Sequence, residues 1–596
     1  MKQLTGIDAS FLYMETGSTF GHVSGLLIFD RPSPEFDPYA AVYEKYESVL
    51  GDVEPMRRRL VEVPFGLDHP WWIEDPSFDL SFHVRALNLA PPGMVDQLAE
   101  QVARIHGRPM DRRRPLWEAY VIDGLESGRW ALLTKYHHAT IDGASGQIML
   151  EMLTSPDPNE PVGEGTPWTP EPIPANRVLL RRAIDNLMRS PARSFRVQMR
   201  IVRDVAGAAG LTSVSSAAAQ AARAVKRVAA PPAGQSRVSL PTSAAPPTPW
   251  NKAITPHRRF AIRTSSLANI KQIKNATGGT VNDVVMAICA GGLRSYLLRH
   301  EALPDKPLRA MVPISIRTGN ETDPWTNRVS ALVAELPTDV PDPVERVQRC
   351  REAMLAAKRQ FELVPAEALV DITQFASPVL ATAAIRLSSQ LGVMDRVTSA
   401  PFNLTISNVP GPRQPLYFAG AQMQHQFPVS IVTDGQGLNI TVQSYMDRLD
   451  FGLIADRELI PDLWDMADDL INEIAVLIEA SGAEWAVPPT PAHPRRGRPG
   501  RRRVASMVSA EMAATEAASP AKRKPAKRTP AKKRAPAKKK AAARTAAAKT
   551  APAGKPASAR KAPTKRTAAK RSAAKKASTN KAPSKKATAK QVSTSA

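Results

Sequence analysis

The chain has 596 residues and a net charge of +24, but two unlike parts make up that sum. Residues 491–596 hold 32 Lys and Arg against 2 Asp and Glu, whereas residues 1–490 hold 48 against 54. All 9 Trp, 9 Tyr and 15 Phe lie in the acidic body, and these counts exclude a single-domain protein, a disulfide scaffold and a collagen-like chain.

The body is long enough for roughly two to three domains. The tail has no aromatic side chain and cannot bury enough apolar area to offset its chain entropy. Two cysteines, Cys289 and Cys350, without a CxxC spacing, fit a reducing compartment and no metal cluster. The first residues, MKQLTGIDASFLYMETG, lack the apolar core of a signal peptide. No run of about 18 uncharged apolar residues is present, so no transmembrane helix is expected. The expected location is the cytoplasm, with peripheral attachment to a membrane surface.

In chain order, residues 1–165 read as mixed α/β. Strands are expected at 23–29 and 130–136, and helices at 95–106 and 146–153. Residues 155–176 are Pro-rich and read as a linker or surface loop. Residues 177–211 read as a basic helix broken at Ser190-Pro191, with eight Arg between 177 and 204, and 212–249 reads as flexible. Further strands are expected at 258–263, 308–316, 328–336, 402–408 and 438–445, and helices at 265–274, 281–299 and 460–481. This alternation predicts two layered α/β units at about 1–165 and 255–482. Between them lies a linker, 166–254, and after them a disordered Lys/Ala/Pro-rich tail, 483–596.

The sharpest chemical signal is KYHHATIDG, residues 135–143. A strand runs into two histidines, and adjacent residues of an extended backbone face opposite ways. One imidazole can be interior while the other faces a channel. A neutral histidine can take a proton from a hydroxyl and return it. If His138 does so, the oxygen attacks an activated acyl carbonyl directly, and a thiolate leaving group recovers the proton without an acyl-enzyme. Gly143-Ala144-Ser145-Gly146-Gln147 lacks the last glycine of a GxSxG elbow. The bare pair also fits two ordinary histidines. A zinc site fits poorly, because adjacent strand residues diverge and no third ligand is near.

HHATIDG matches HHxxxDG, the motif of the coenzyme-A-dependent acyltransferase superfamily. The chain resembles, more narrowly, the bacterial wax ester synthase/diacylglycerol acyltransferase family, from Leu4 to about Ala480. Nine blocks carry the resemblance in order, among them LTGIDASFLYMET (4–16), RPLWEAYVIDGL (114–125), KYHHATIDGASG (135–146), TVNDVVMAICAGGLRSYL (280–297), NRVSALVAELPT (327–338) and ISNVPGPRQPLYFAGA (406–421).

That resemblance implies two chloramphenicol-acetyltransferase-like α/β domains with His138 in a channel between them. It makes His138 the general base, His137 its support, and Asp142 a structural residue held by an arginine, for which Arg317 is the candidate. Gly143 either lets the substrate approach closely or forms a turn. Asn282 and Asp283 either shape the site near the reacting carbonyl or cap a helix. Ser407 and Asn408 are oxyanion candidates ahead of a rigid Pro-Gly turn. Trp117 reads as a core or channel-wall residue. Gly292 stands where many relatives have alanine, which bears on local helix packing.

The implied substrates are acyl-CoA and diacylglycerol, with no cofactor and no metal. The alternatives are a long-chain alcohol as acceptor, giving a wax ester, or a non-catalytic lipid- or polyanion-binding protein. The implied docking partner is an anionic membrane or lipid-droplet surface, through the basic segment 177–211. Residues 495–590 are similar in composition to linker-histone arms and are expected to attract nucleic acid or another polyanion nonspecifically.

Overall fold

Two six-stranded sheets carry the fold. The computed structural model describes residues 1–189, 245–317, 325, 327, 329–362 and 401–488. The expectations for 190–211, for 212–244 and for the tail beyond 488 fall outside the described residues.

In the first sheet the order is Tyr417–Phe418, Ala421–Val429, His22–Phe29, Trp130–His137, Trp117–Asp123 and Val84–Asn88. Trp130–His137 is buried along its whole length and runs antiparallel to both neighbours. Its sequence, WALLTKYH, is the near-continuous apolar run of a strand covered on both faces. Lys135 is the exception. Its ammonium is fully buried and donates to the carbonyls of Ile105 (3.2 Å) and Arg108 (2.6 Å).

The second sheet runs Val329–Leu336, Leu308–Ser315, Leu404–Val409, Leu438–Tyr445, Arg448–Asp456 and Arg258–Ser266. Helices Leu267–Thr277, Val281–Arg299, Pro343–Glu362 and Leu463–Ser481 supply its core. Val281–Arg299 is long and apolar enough to cross a membrane, yet it is a core helix, buried over 72% of its apolar window. A Cβ at Gly292 would lie 2.6 Å from Leu470 Cδ1 and 2.9 Å from its Cα. Glycine is what lets Leu463–Ser481 pack this close.

The boundaries at 165 and 255 follow the two sheets only in part. Ala421–Val429 comes from the second half of the sequence but pairs with His22–Phe29, Phe427 opposite Leu26 and Val429 opposite Ser24. The buried Asp450 of the second sheet accepts from Gln426 N (2.9 Å) and Thr264 Oγ1 (2.6 Å), and it lies 3.2 Å from His425. A Cβ on Gly452 would meet the Pro428 carbonyl. Residues Met1–His493 accordingly form one unit. Helix Val95–His106 inserts Leu98, Val102 and Ile105 between the sheets, against Phe260, Ile262 and Phe427.

Trp117 is a core residue. Its ring stacks on His83 (4.5 Å) and Tyr46 (5.2 Å), and its indole N–H donates to the Met56 carbonyl (2.8 Å).

Candidate active site

The strand Trp130–His137 ends at the first histidine, and the chain turns at once, Thr140 N donating to the His137 carbonyl (2.8 Å). His137 is 1% exposed. Its Nδ1 accepts from Ala139 N (3.1 Å), so the proton sits on Nε2 and is donated to Glu15 Oε1 (3.2 Å). Glu15 also accepts from Gly21 N (2.9 Å) and Arg112 (2.6 Å). Burial alone would raise this carboxyl, but His137, Arg112 and the Gly21 amide together bring it down to about 2. A Cβ at Gly21 would come within 2.8 Å of His137 Nε2, so only glycine fits beside the ring.

His138 faces the other way and is partly exposed. Its ring lies flat on Phe11, centroids 4.1 Å apart and planes 8° from parallel. Nδ1 is 3.1 Å from Asn327 Oδ1. The Asn327 amide nitrogen donates to Asp8 Oδ1 (2.6 Å) and to the His138 carbonyl (2.6 Å), and a carbonyl can only accept. The amide orientation is therefore fixed, and Nδ1 must carry the proton it gives to Asn327. The lone pair is left on Nε2. Burial lowers the His138 pKa below 6.5, against its own carbonyl, Asp142 and Asn327, which favour the charged ring. At neutral pH the ring is thus an available base.

Asp142 is the N-cap of helix Gly143–Leu153, accepting from Ser145 N (2.8 Å) and Ser145 Oγ (2.9 Å). Arg317 Nη2 lies 2.9 and 3.0 Å from its two carboxylate oxygens and also donates to Ser145 Oγ (2.8 Å). The helix begins three residues earlier than its apolar pattern indicates, because the glycines of GASG mask its first turn. Gly143 is consequently the first helical residue and not a left-handed turn. A Cβ there would meet nothing within 4 Å. Neither backbone conformation nor packing requires glycine at this position.

Of the two readings of Asp283, the structure shows the helix cap. Thr280 is the N-cap of Val281–Arg299, and Asp283 Oδ2 accepts from Thr280 N and Oγ1, both at 2.8 Å, in a capping box. Asn282 instead accepts from Asn408 Nδ2 (3.4 Å), which joins the helix to strand Leu404–Val409. Ser407, one residue earlier on that strand, points to the opposite face. Among the described residues no hydrogen bond links these groups to His138.

Four residues beneath the histidines were not anticipated from the motif: Asp8, Phe11, Glu15 and Asn327. The first two lie on helix Gly6–Tyr13 and Glu15 just beyond it, at a spacing of three and four that sets them on one side. That spacing was readable, but which acid meets which histidine was not. Asn327 reaches the site from the connection between strands Leu308–Ser315 and Val329–Leu336, as does Arg317. Trp325, 8% exposed, anchors the same connection in the first sheet's core.

Comparison with known proteins gives the family of the chain. Residues 4–285 match the wax ester synthase/diacylglycerol acyltransferase catalytic domain, and residues 325–477 match the WS/DGAT C-terminal domain. A probable diacylglycerol O-acyltransferase of Mycobacterium tuberculosis is 33% identical over 476 residues, covering 80% of this chain and 98% of that protein. The O-acyltransferase WSD of Acinetobacter baylyi is 32% identical over 476 residues, covering 80% and 96%. The structure of a wax ester synthase/diacylglycerol acyltransferase from Marinobacter aquaeolei superposes with a TM-score of 0.58 at 31% identity, covering 81% of this chain and all of that one. This chain belongs to the wax ester synthase/diacylglycerol acyltransferase family.

Proposed function

We propose that the protein transfers a long acyl chain from acyl-CoA to the free hydroxyl of diacylglycerol, with His138 as general base. The observation that carries this reading is the Nε2 lone pair of His138, set by the Nδ1 contact to Asn327. Nε2 takes the hydroxyl proton as the oxygen attacks the thioester carbonyl. The tetrahedral intermediate then expels the coenzyme A thiolate, which recovers the proton from the imidazolium. Atoms balance with no acyl-enzyme, metal or cofactor.

Asn327 and Phe11 position the base, and Asn327 holds the imidazolium through its Nδ1 proton. His137 fixes the turn through Glu15. Asp142 and Arg317 hold the loop to the helix that follows it. Asn282, Asn408 and Ser407 are assigned to substrate and oxyanion contact, and Gly143 to close approach of the acceptor. Two six-stranded sheets and the family of the chain support this assignment. A long-chain alcohol is the second acceptor, since the family name joins both products.

The enzyme works on lipid, so it docks at a membrane or lipid-droplet surface, and the +30 tail adds nonspecific attraction for polyanions. The test is transfer from labelled palmitoyl-CoA to diacylglycerol and to hexadecanol, in parallel, by wild type and His138→Ala. Product from wild type alone supports the mechanism, and the faster acceptor ranks the two readings. No product with either acceptor overturns it.

A further inference from the structure

Four large apolar side chains that belong to no core cluster lie on two neighbouring elements: Phe65 (82% exposed), Leu67 (54%), Ile184 (54%) and Met188 (73%). The turn Pro64–Gly66 packs beside helix Asn176–Arg189. Asn186 ties the two together, donating to Asp68 Oδ2 (2.8 Å) and Gln3 Oε1 (3.1 Å). Leu179 and Ala183 are the helix's buried face, and Arg182 lies over the Trp71 ring at 4.9 Å. The helix is thus fixed by one side. Arg177, Arg181, Ile184 and Met188, at i, i+4, i+7 and i+11, share the other.

Phe65 has φ 60° and ψ 10°. Left-handed backbone is unfavourable for a bulky residue, and such strain persists where a structure holds it in place for use. Here the strained residue is not buried in exchange. Its ring is presented to solvent.

We infer that this face inserts into an anionic lipid surface, with Phe65, Leu67, Ile184 and Met188 entering the acyl boundary and the arginines meeting lipid phosphates. The inference rests on the proposal that the acceptor is a lipid, and it adds a specific, largely apolar anchor to the general expectation of a basic segment. Charge selects the occupant. The exposed side carries Arg177 and Arg181, and Asp185 is the one acid of the helix, so a second copy docked about a two-fold axis would set the arginines against themselves. An anionic bilayer satisfies the arginines and covers the apolar side chains together.

The experiment uses the full chain and vesicles of phosphatidylcholine with about one-third phosphatidylglycerol, at about 0.1 M and about 0.5 M salt. At the higher salt the electrostatic pull of the arginines and of the tail is screened within a few ångströms. Wild type stays bound there. Phe65→Ser/Leu67→Ser/Ile184→Ser/Met188→Ser binds at least about tenfold more weakly, because the apolar contribution is removed. Arg177→Gln/Arg181→Gln loses binding mainly at the lower salt. Acylation of a monomeric short-chain alcohol is unchanged in both variants, since none of these residues touches the site. Equal vesicle binding by wild type and the fourfold variant overturns the inference. So does a fall in melting temperature without a change in vesicle binding, which would mean that the chain itself covers the face. A self-associating wild type that the fourfold variant renders monomeric would assign the face to a second copy and also overturn it. If no protein acylates any alcohol but the fourfold variant still loses vesicle binding, the docking stands and the catalytic proposal falls.

Discussion

His137 and His138 are neighbours in sequence and belong to different parts of the molecule. His137 meets Glu15 and Gly21, and Arg112 holds Glu15 in turn, all within the first 112 residues. His138 is held by Phe11 on one side and by Asn327, 189 positions away, on the other. The proton of His137 is spent on a carboxylate, while that of His138 is held so that its second nitrogen stays bare. In the proposed mechanism these two identical side chains become a brace and a base, because a strand ends at the first of them. The contacts of His138 are complete only when the second half of the chain has folded against the first.

Replacing each histidine separates the two roles most strongly. His138→Ala is expected to lower kcat by about 10³-fold with the melting temperature nearly unchanged, the usual scale for a lost general base. His137→Ala is expected to lower stability first, by about 2–3 kcal/mol, since it takes one donor from the Glu15 carboxylate and leaves the buried Ala139 N–H without its acceptor. Thermal unfolding and steady-state rates on the same preparations check both. Equal loss of stability in the two variants would remove the distinction.

Asn327→Ala is next in size. It deprives Nδ1 of its acceptor, so the ring can take the other tautomer and its charged form is less stable. The expected result is a 10- to 100-fold lower kcat. The acid limb of the pH profile carries the sharper reading. His138 must be neutral to act, and burial already sets its pKa below 6.5. Asn327 favours the charged ring, so its loss moves the limb to still lower pH. A fall in rate with an unmoved limb would reduce Asn327 to a packing residue.

The difference between these regions also explains what was legible in the sequence. Strand 130–137, helices 95–106 and 281–299 and strand 438–445 are apolar runs or strongly periodic segments, and their sequences place them almost to the residue. Ala421–Val429 is not, because AQMQHQFPV mixes polar side chains with a proline, and its partner strand lies some 400 residues earlier. The HHATIDG loop was legible because its residues are contiguous. Asp142 and Arg317 could be paired because the resemblance implied an arginine. The Asp8–Asn327–His138 relay could not, since each link joins residues that only the packed structure brings together. Asp283 was ambiguous for a local reason. Thr280-Val281-Asn282-Asp283 reads equally as a cap or a site until the first helical residue is known.

Glu15 gives a smaller, pH-dependent effect on the brace alone. Its folded carboxyl is depressed from 4.5 to about 2. A depressed acid adds stability above its unfolded value and loses it as pH falls toward the folded one. Wild type should therefore exceed Glu15→Gln in unfolding free energy at neutral pH. The shift alone corresponds to about 3 kcal/mol, and partial exposure of Arg112 reduces this to about 2 kcal/mol. The advantage should shrink between pH 4.5 and about 2. Denaturant unfolding at neutral pH and at pH 3 measures it, and a constant gap would place the stabilisation elsewhere.

The smallest expected effect is the most selective. Gly143→Ala adds one methyl to the first residue of helix Gly143–Leu153, where nothing of the protein lies within 4 Å. Alanine suits a helix at least as well as glycine, so stability should stay within about 0.5 kcal/mol of wild type or rise. His137 and His138 keep all their partners. If the glycine serves the acceptor's approach, the methyl occupies space the substrate needs, and KM for diacylglycerol should rise by about three- to tenfold while kcat changes less. Such a split would mark the open side of this helix as part of the acceptor path, on the side of the base and not of the brace. An unchanged KM would leave Gly143 without a role in catalysis, and the opening beside it would have to serve another purpose.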